Sequence, residues 1–131
     1  MPPTSAAHTA TGATAGRAFA EALGAGDFDA VAAVLDLDVD FRGLTPRSSW
    51  EARGPDDVVR GVLRQWFEPT DEIDEVLGIE TDSFADRHRV AYRFRGHNPD
   101  GRFVVEQQAY FTERDGRIDW MRVVCSGFRP A

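Results

Sequence analysis

Four polar side chains in strand-like, apolar stretches of the second half of the chain are candidates for chemistry: Tyr92, Gln107, Asp119 and Cys125. Asp119 is the carboxylate among them. If Asp119 is buried beside apolar residues, its pKa rises and it becomes a candidate general acid or base. Gln107 offers an amide that can bind a ligand carbonyl, and a buried amide needs a hydrogen-bond partner in any case.

Each of these four residues also has a purely structural interpretation. Tyr92 is typical of a core aromatic whose hydroxyl finds a partner within the protein, and a structural hydrogen bond explains Gln107 equally well. Asp119 stands at the start of its strand, where a carboxylate is usually solvated at the rim. Cys125 is typical of an inert small hydrophobe, because no base falls where it would activate the thiol.

The sequence carries no pattern of a metal or cofactor site. His88 and His97 are nine residues apart, in a predicted strand and a predicted turn, without HExxH-type spacing. Cys125 is the single cysteine, which excludes an intramolecular disulfide and a cysteine-cluster metal site. No GxGxxG follows a strand, so a dinucleotide is not indicated. We therefore expect neither a metal nor a cofactor.

Three consecutive antiparallel strands are predicted to carry the four candidates. They cover Arg87–Arg95, Arg102–Arg114 and Arg117–Phe128, where Val, Phe and Tyr recur among polar residues. The turn at His97–Gly101 and the dipeptide Asp115-Gly116 separate them, and both are hairpin signals. Such a sheet needs an apolar layer over one face, which the first half of the chain supplies.

The first half of the chain predicts helices and short strands. The predicted helices cover Ala15–Leu23 and Gly54–Glu68, and a further helix between them is capped by Asp27 and has an apolar stripe at Phe28, Val31, Val34 and Leu35. The predicted strands cover Asp38–Leu44, Ser48–Arg53 and Glu72–Thr81. The third helix has the most apolar face and is expected to lie on the sheet. Helices, then runs of strands with short links, indicate an α+β fold with a mostly antiparallel sheet.

Composition limits the class of protein. The chain has 131 residues, of which 42% are hydrophobic and 28% charged, as in an ordinary single domain. We predict a flexible tail over residues 1–14, which have little to bury, and one domain over residues 15–131. The net charge of −7 argues against a nucleic-acid or anionic membrane surface. No stretch suggests a membrane span or a secretory signal, so the cytoplasm is the expected location.

Several short motifs resemble those of the nuclear transport factor 2-like superfamily, which includes ketosteroid isomerases, SnoaL-like polyketide cyclases and limonene epoxide hydrolases. The motifs are Phe19–Asp29, Val34–Phe41, Glu51–Gly54 and Asp115–Ile118. The resemblance extends from about Ala15 to Phe128. It implies a cone-shaped, curved, mostly antiparallel sheet packed against three N-terminal helices, with a mostly apolar pocket at its open end.

The resemblance to ketosteroid isomerases does not extend to their catalytic groups. Their oxyanion tyrosine falls on Phe19, their base at or near Gly43 and their protonated aspartate on Ala109, none of which carries the required group. Limonene epoxide hydrolases use an Asp–Arg–Asp set, and Arg93 and Arg95 lie in a suitable strand without an Arg-x-Asp. The SnoaL-like cyclases mainly shape an apolar cavity around one acid or base, and this chain is compatible with that looser pattern.

If Ala109 faces the cavity, period-two alternation indicates which other residues do so. In the last strand this register places Asp119, Met121, Val123 and Cys125 inside. The predicted ligand pocket consists of Phe19, Phe41, Trp50, Trp66, Tyr92, Phe94, Gln107, Ala109, Met121 and Cys125, with Asp119 as the candidate acid or base. The expected ligand is small and apolar.

The opposite register predicts the outer face of the sheet, which includes Tyr110, Ile118, Trp120, Arg122 and Val124. Tyr, Trp and Arg are enriched in protein interfaces, so we expect a homodimer through Tyr110, Trp120 and Arg122. The alternative is that neighbouring arginines cover Trp120. Three functions remain open: a cofactor-free cyclase or isomerase of the SnoaL-like type, a ligand-binding domain without chemistry, and a dimeric interaction or accessory module.

Overall fold

The computed structural model describes the backbone of residues 3–131 and the side chains of residues 14–131. The helices are α1 (Pro3–Gly24), α2 (Phe28–Ala33), α3 (Pro55–Val58) and α4 (Arg64–Trp66), and a π-helical turn, Val59–Leu63, joins α3 to α4. The strands are β1 (Leu35–Thr45), β2 (Ser48–Arg53), β3 (Glu72–Phe84), β4 (Arg87–Asn98), β5 (Gly101–Arg114), β6 (Arg117–Cys125) and β7 (Arg129–Pro130).

All seven strands belong to one curved, unclosed sheet. The strand order is β2-β1-β6-β5-β4-β3, with β7 paired to β5. The β1–β6 pair is parallel and the other pairs are antiparallel. The predicted α+β class and the mostly antiparallel sheet are therefore confirmed. Through the parallel pair, β6 lies in the middle of the sheet, between β1 and β5.

The turn between β5 and β6 shows why the hairpin signal was reliable. Asp115 and Gly116 have φ values of 53° and 80°. Left-handed backbone at both central residues matches the twist of the flanking strands, and Asp-Gly adopts it at low cost. Gln107 of β5 and Cys125 of β6 are consequently held side by side.

Several element boundaries differ from those predicted. Leu35 belongs to β1 rather than to the second helix, because α2 ends at Ala33. β3 runs to Phe84, since its polar residues continue to pair with β4 up to Arg87. Exposed residues that pair through the backbone leave no signal in hydrophobic periodicity.

The first helix also extends beyond its predicted range. α1 begins at Pro3 rather than at Ala15 and overlaps most of the segment predicted as a tail. Met1 and Pro2 of that segment lie outside the described residues. The domain boundary at residue 15 stays a prediction.

The core lies between the inner face of the sheet and the helices. Its largest fully buried side chains include Phe19 of α1, Phe41 of β1, Phe94 of β4 and Phe111 of β5. α1 approaches the sheet closely: a Cβ added at Gly24 would lie 2.9 Å from a Val76 methyl carbon. Within the described part of the chain, no helix has the length and apolar character needed to cross a bilayer.

Candidate functional site

A row of three polar side chains crosses the inner face of the sheet. Gln107 of β5 pairs with Tyr92 of β4 on one side and with Cys125 of β6 on the other. All three are buried, and Gln107 is only 1% exposed. The Tyr92 hydroxyl donates a hydrogen bond of 2.6 Å to Gln107 Oε1. Among the buried side chains of residues 14–131, Gln107 is the one classed as polar or charged.

The Tyr92 hydroxyl is the donor in this hydrogen bond and Gln107 Oε1 is the acceptor. Burial, with a smaller contribution from Cys125, raises the pKa of Tyr92 well above its usual value, so the phenol keeps its proton. Gln107 Nε2 points into the interior and has no hydrogen-bond partner among the described residues.

Trp66 fills the position where the resemblance places a catalytic base. A Cβ added at Gly43 would lie 2.7 Å from Trp66 Cζ2 and still closer to Cη2. The Trp66 ring is 6.0 Å from the ring of Phe41 and 6.1 Å from that of Trp50. Trp66 is 8% exposed, and within the described chain its indole Nε1 has no hydrogen-bond partner. The expected hollow is therefore occupied by an aromatic ring beside Gly43.

The other predicted pocket residues lie around this ring and the polar row. Phe19 and Ala109, the remaining positions of the ketosteroid isomerase comparison, are fully buried. The Phe19 ring is 6.3 Å from that of Tyr92, which stacks on Phe94 at 5.2 Å. Phe41, Met121 and Cys125 are also buried, whereas Trp50 is half-buried. Their burial agrees with the predicted register, and their role in ligand binding stays a prediction.

Asp119 does not take the interior position that strict alternation gives it; its side chain is 19% exposed, which is closer to the alternative of a position at the rim. The β5–β6 pairing shifts after Thr112, which marks a β-bulge. Ile118 and Met121 are both fully buried although an uninterrupted strand would put them on opposite faces. Asp119 instead accepts a hydrogen bond of 2.5 Å from the Thr112 hydroxyl and pairs with Arg114 at 3.5 Å. The bulge also corrects the predicted outward orientation of Ile118.

An open cleft of about 450 Å³ lies where the end of α1 meets the segment between α4 and β3. Its lining includes Leu23, Phe28, Arg64, Phe67, Asp71 and Ile73. The ring of Phe67 is 6.2 Å from that of Phe94. Phe67 and Phe94 therefore stand between this cleft and Tyr92. Phe67 was predicted only as part of an apolar helix face, and nothing in the sequence indicates its place beside a cleft.

On the outer face, Trp120 is covered by neighbouring arginines. The guanidinium groups of Arg87 and Arg122 each lie 4.5 Å from the centre of its ring. Arg122 also donates hydrogen bonds to Asp40. Tyr110 makes an edge contact with the ring of Phe84 at 6.4 Å. This arrangement matches the alternative interpretation of Trp120 as a residue covered by its own arginine neighbours.

The described residues contain no group of three or more His, Cys, Asp and Glu side chains placed to hold a metal ion. His97 lies between two carboxylates, with Nε2 2.8 Å from Glu72 and Nδ1 2.8 Å from Asp74. His88 lies elsewhere, with its ring 5.4 Å from that of Phe111. The two histidines thus have separate surroundings.

A curved sheet with an apolar inner face covered by helices defines the nuclear transport factor 2-like class of fold. The chain belongs to the SnoaL-like domain family, whose sequence profile matches residues 16–121. A search of the curated proteins gave no significant match.

Solved structures of similar fold come from several bacteria. A candidate polyketide cyclase from Xanthomonas campestris pv. campestris is 21% identical, with a TM-score of 0.69, and the match covers 88% of this chain and 90% of that one. An epoxide hydrolase of the LEH-like type from M. tuberculosis is 22% identical, with a TM-score of 0.66 and coverage of 91% and 85%. A nuclear transport factor 2-like protein from Burkholderia xenovorans LB400 is 19% identical, with a TM-score of 0.66 and coverage of 90% and 91%. At these identities the comparisons establish the fold alone.

Proposed function

We propose that this protein binds a small, apolar metabolite between the helices and the inner face of its sheet. The observation that carries the proposal is the polar row of Tyr92, Gln107 and Cys125 within an otherwise apolar interior. Ligand sites usually combine apolar walls with a few placed polar groups. A core with only a structural purpose gains little from a buried amide, because the amide must be desolvated.

The route to this site passes the cleft beside Phe67. Trp66 and Phe67 occupy or border the space that a ligand would take. Both follow the π-helical turn Val59–Leu63, a feature that often marks functional positions in helices. We propose that a ligand displaces one or both rings when it binds.

Binding without acid–base chemistry is favoured over catalysis. The proposed acid or base, Asp119, faces away from the interior and is held by Thr112. The fully buried residues of the range 14–131 include no carboxylate and no imidazole, and the half-buried Glu113 has one buried oxygen, Oε2, without a partner in the described chain. Tyr92 and Cys125 are the titratable groups among the buried residues, and the pKa of Tyr92 is raised.

The alternative is a cofactor-free cyclase or isomerase of the SnoaL-like type. Its support is the fold shared with the candidate polyketide cyclase and the epoxide hydrolase. In such an enzyme the interior would orient the substrate, and Tyr92 would act as a neutral hydrogen-bond donor. Conversion of a bound compound, followed by NMR, would favour this alternative over simple binding.

A thermal-shift screen of small apolar and aromatic compounds tests the binding proposal. A compound at 100 times its dissociation constant adds about 2.7 kcal/mol to the stability of the folded state. The Trp66→Phe variant should bind the larger compounds more tightly than the wild type, because a smaller ring is displaced. A matched control is Leu37→Ala, at an exposed residue of β1. If no compound raises the melting temperature of the wild type or of Trp66→Phe, the proposal fails.

We also propose that two copies of the chain associate through the outer face of the sheet. Leu44 of β1 lies directly opposite Val124 of β6 in the sheet. Leu44 is 55% exposed and Val124 is 57% exposed. They line a cleft of about 410 Å³ that also includes Trp50 and Arg122. Exposed apolar residues beside Arg and Trp suit an interface core.

Sedimentation at tens of micromolar tests the dimer. The wild type should sediment as a dimer and Val124→Asp as a folded monomer, whereas Leu37→Asp should leave the dimer intact. A monomeric wild type refutes this proposal without affecting the ligand site. The cytoplasmic location stays a prediction from the sequence.

A further inference from the structure

We infer that the ligand of the interior presents a neutral carbonyl oxygen, of the ketone, aldehyde or ester type, to the side-chain amide of Gln107. The inference rests on the proposed binding function and adds the chemical class of the ligand. It follows from which hydrogen-bonding positions the protein itself leaves unused.

The hydrogen-bonding capacity of Gln107 is only partly used. Its Oε1 accepts from the Tyr92 hydroxyl, and its Nε2 has no partner among the described residues. An amide nitrogen has two N–H donors and no acceptor capacity. A buried donor without a partner is destabilising, so a native protein keeps one only for a reason. An acceptor atom on the ligand would satisfy it.

The orientation of the amide is set by its neighbour. The Tyr92 hydroxyl donates to Gln107 Oε1 at 2.6 Å, which places the amide oxygen on the side of Tyr92. The amide nitrogen is therefore the group left for a ligand. A ligand whose only polar group is a donor would meet a second donor and would be rejected.

The surroundings of Gln107 select a neutral acceptor. Its strand neighbours on the inner face are Tyr92 and Cys125, and aromatic rings stand close by, with Phe19 beside Tyr92 and Phe94 stacked on it. No Arg or Lys belongs to the buried set of residues 14–131. A carboxylate would lose its hydration without gaining a counter-charge, whereas a carbonyl loses much less.

Trp66 supplies a second unused donor on the helical side. Its indole Nε1 lacks a partner within the described residues, like Gln107 Nε2. Trp66 comes from α4, whereas Gln107 comes from β5. The Trp66 ring is proposed to move when a ligand binds, so the inference rests on Gln107 alone.

Matched compounds that differ by one carbonyl test the inference. The pairs are acetophenone with ethylbenzene and 2-acetylnaphthalene with 2-ethylnaphthalene, and binding is measured by calorimetry and thermal shift. We expect each ketone to bind about 3- to 10-fold more tightly than its hydrocarbon partner, the range of one net hydrogen bond. The carbonyl stretching frequency of the bound ketone should fall relative to that in hydrocarbon solvent.

Two leucine variants localise the effect. Gln107→Leu should abolish the preference for the ketone and reverse the infrared shift, while it keeps affinity for the hydrocarbon. Gln108→Leu removes the same side-chain amide at the adjacent exposed position of β5 and should change neither result. If Gln107→Leu does not fold, Gln107→Met and the infrared shift of the wild-type complex serve instead.

The outcomes separate this inference from the binding proposal. Equal binding of ketone and hydrocarbon overturns the carbonyl inference and leaves the binding proposal standing. Tighter binding of carbazole, whose only polar group is a neutral N–H donor, than of fluorene also overturns it, because the free group would then be an acceptor. If no member of either pair binds, the proposed function itself fails.

Discussion

Replacement of Gly43 by alanine tests whether Trp66 fills the interior beside the sheet. The added Cβ would lie 2.7 Å from Trp66 Cζ2, whereas ordinary contact begins at 3.4 Å. The ring must therefore move by at least 0.7 Å, the difference between these two distances. Phe41 and Trp50 pack against the same ring and oppose this movement.

The expected cost of Gly43→Ala is that of overpacking a core, about 1–3 kcal/mol. For a domain of this size, that corresponds to a fall in melting temperature of roughly 4–12 °C. The assay is thermal unfolding followed by circular dichroism, and the contribution of Trp66 to the fluorescence is obtained as the difference from Trp66→Phe, because the chain has three tryptophans. The emission should change because the indole is forced from its buried site.

Two further variants make the result specific to this contact. Gly78→Ala adds the same methyl group in β3, where nothing lies within 4 Å, and should stay within about 0.5 kcal/mol of the wild type. Gly43→Ala combined with Trp66→Phe should recover part of the loss, because the two positions couple. If Gly43→Ala melts together with Gly78→Ala, Trp66 does not occupy this space and the interior is open.

Three other predictions concern single side chains. Hydrogen bonding to Arg89 lowers the pKa of Asp82, so the wild type should have a higher melting temperature than Asp82→Asn at pH 7. The difference in melting temperature should vanish as the pH falls through the lowered pKa of Asp82. Hydrogen bonding to Asp74 raises the pKa of His97, so the wild type should melt at a higher temperature than His97→Gln at pH 5.5. This difference should disappear as the pH rises through the raised pKa of His97, which NMR titration measures directly. Asp119→Asn should cost about 0.5–1.5 kcal/mol of stability through its weakened hydrogen bond but leave ligand-induced thermal shifts unchanged, and a loss of binding would contradict its outward placement.

The sheet could be predicted from the sequence where chemistry and periodicity agree. Asp115-Gly116 gave the last hairpin, and alternating residues gave the buried positions of Tyr92 and Gln107. The ends of strands were less predictable, because residues such as Phe84 pair through their backbone while their side chains stay exposed.

The sequence predicted which residues belong to the candidate site but not how all of them are oriented. The inward orientation of Gln107 is a consequence of period-two alternation and needed no coordinates. Strict alternation misplaces Asp119, because one bulge after Thr112 changes the face of the residues that follow it, whereas its place at the start of a strand indicated the rim. The same bulge buries Ile118, which alternation had placed outside.

The sequence by itself determined the fold class, the family and the apolar, polar-poor interior, because these depend on residue types at local spacings. Only the tertiary structure decided that Trp66 lies over Gly43 and that Gln107 Nε2 and Trp66 Nε1 are left without partners among the described residues. The physical reason is that a filled space and an unsatisfied donor depend on residues distant in the chain. Whether a hollow is open is decided by packing across elements, and no local pattern encodes it.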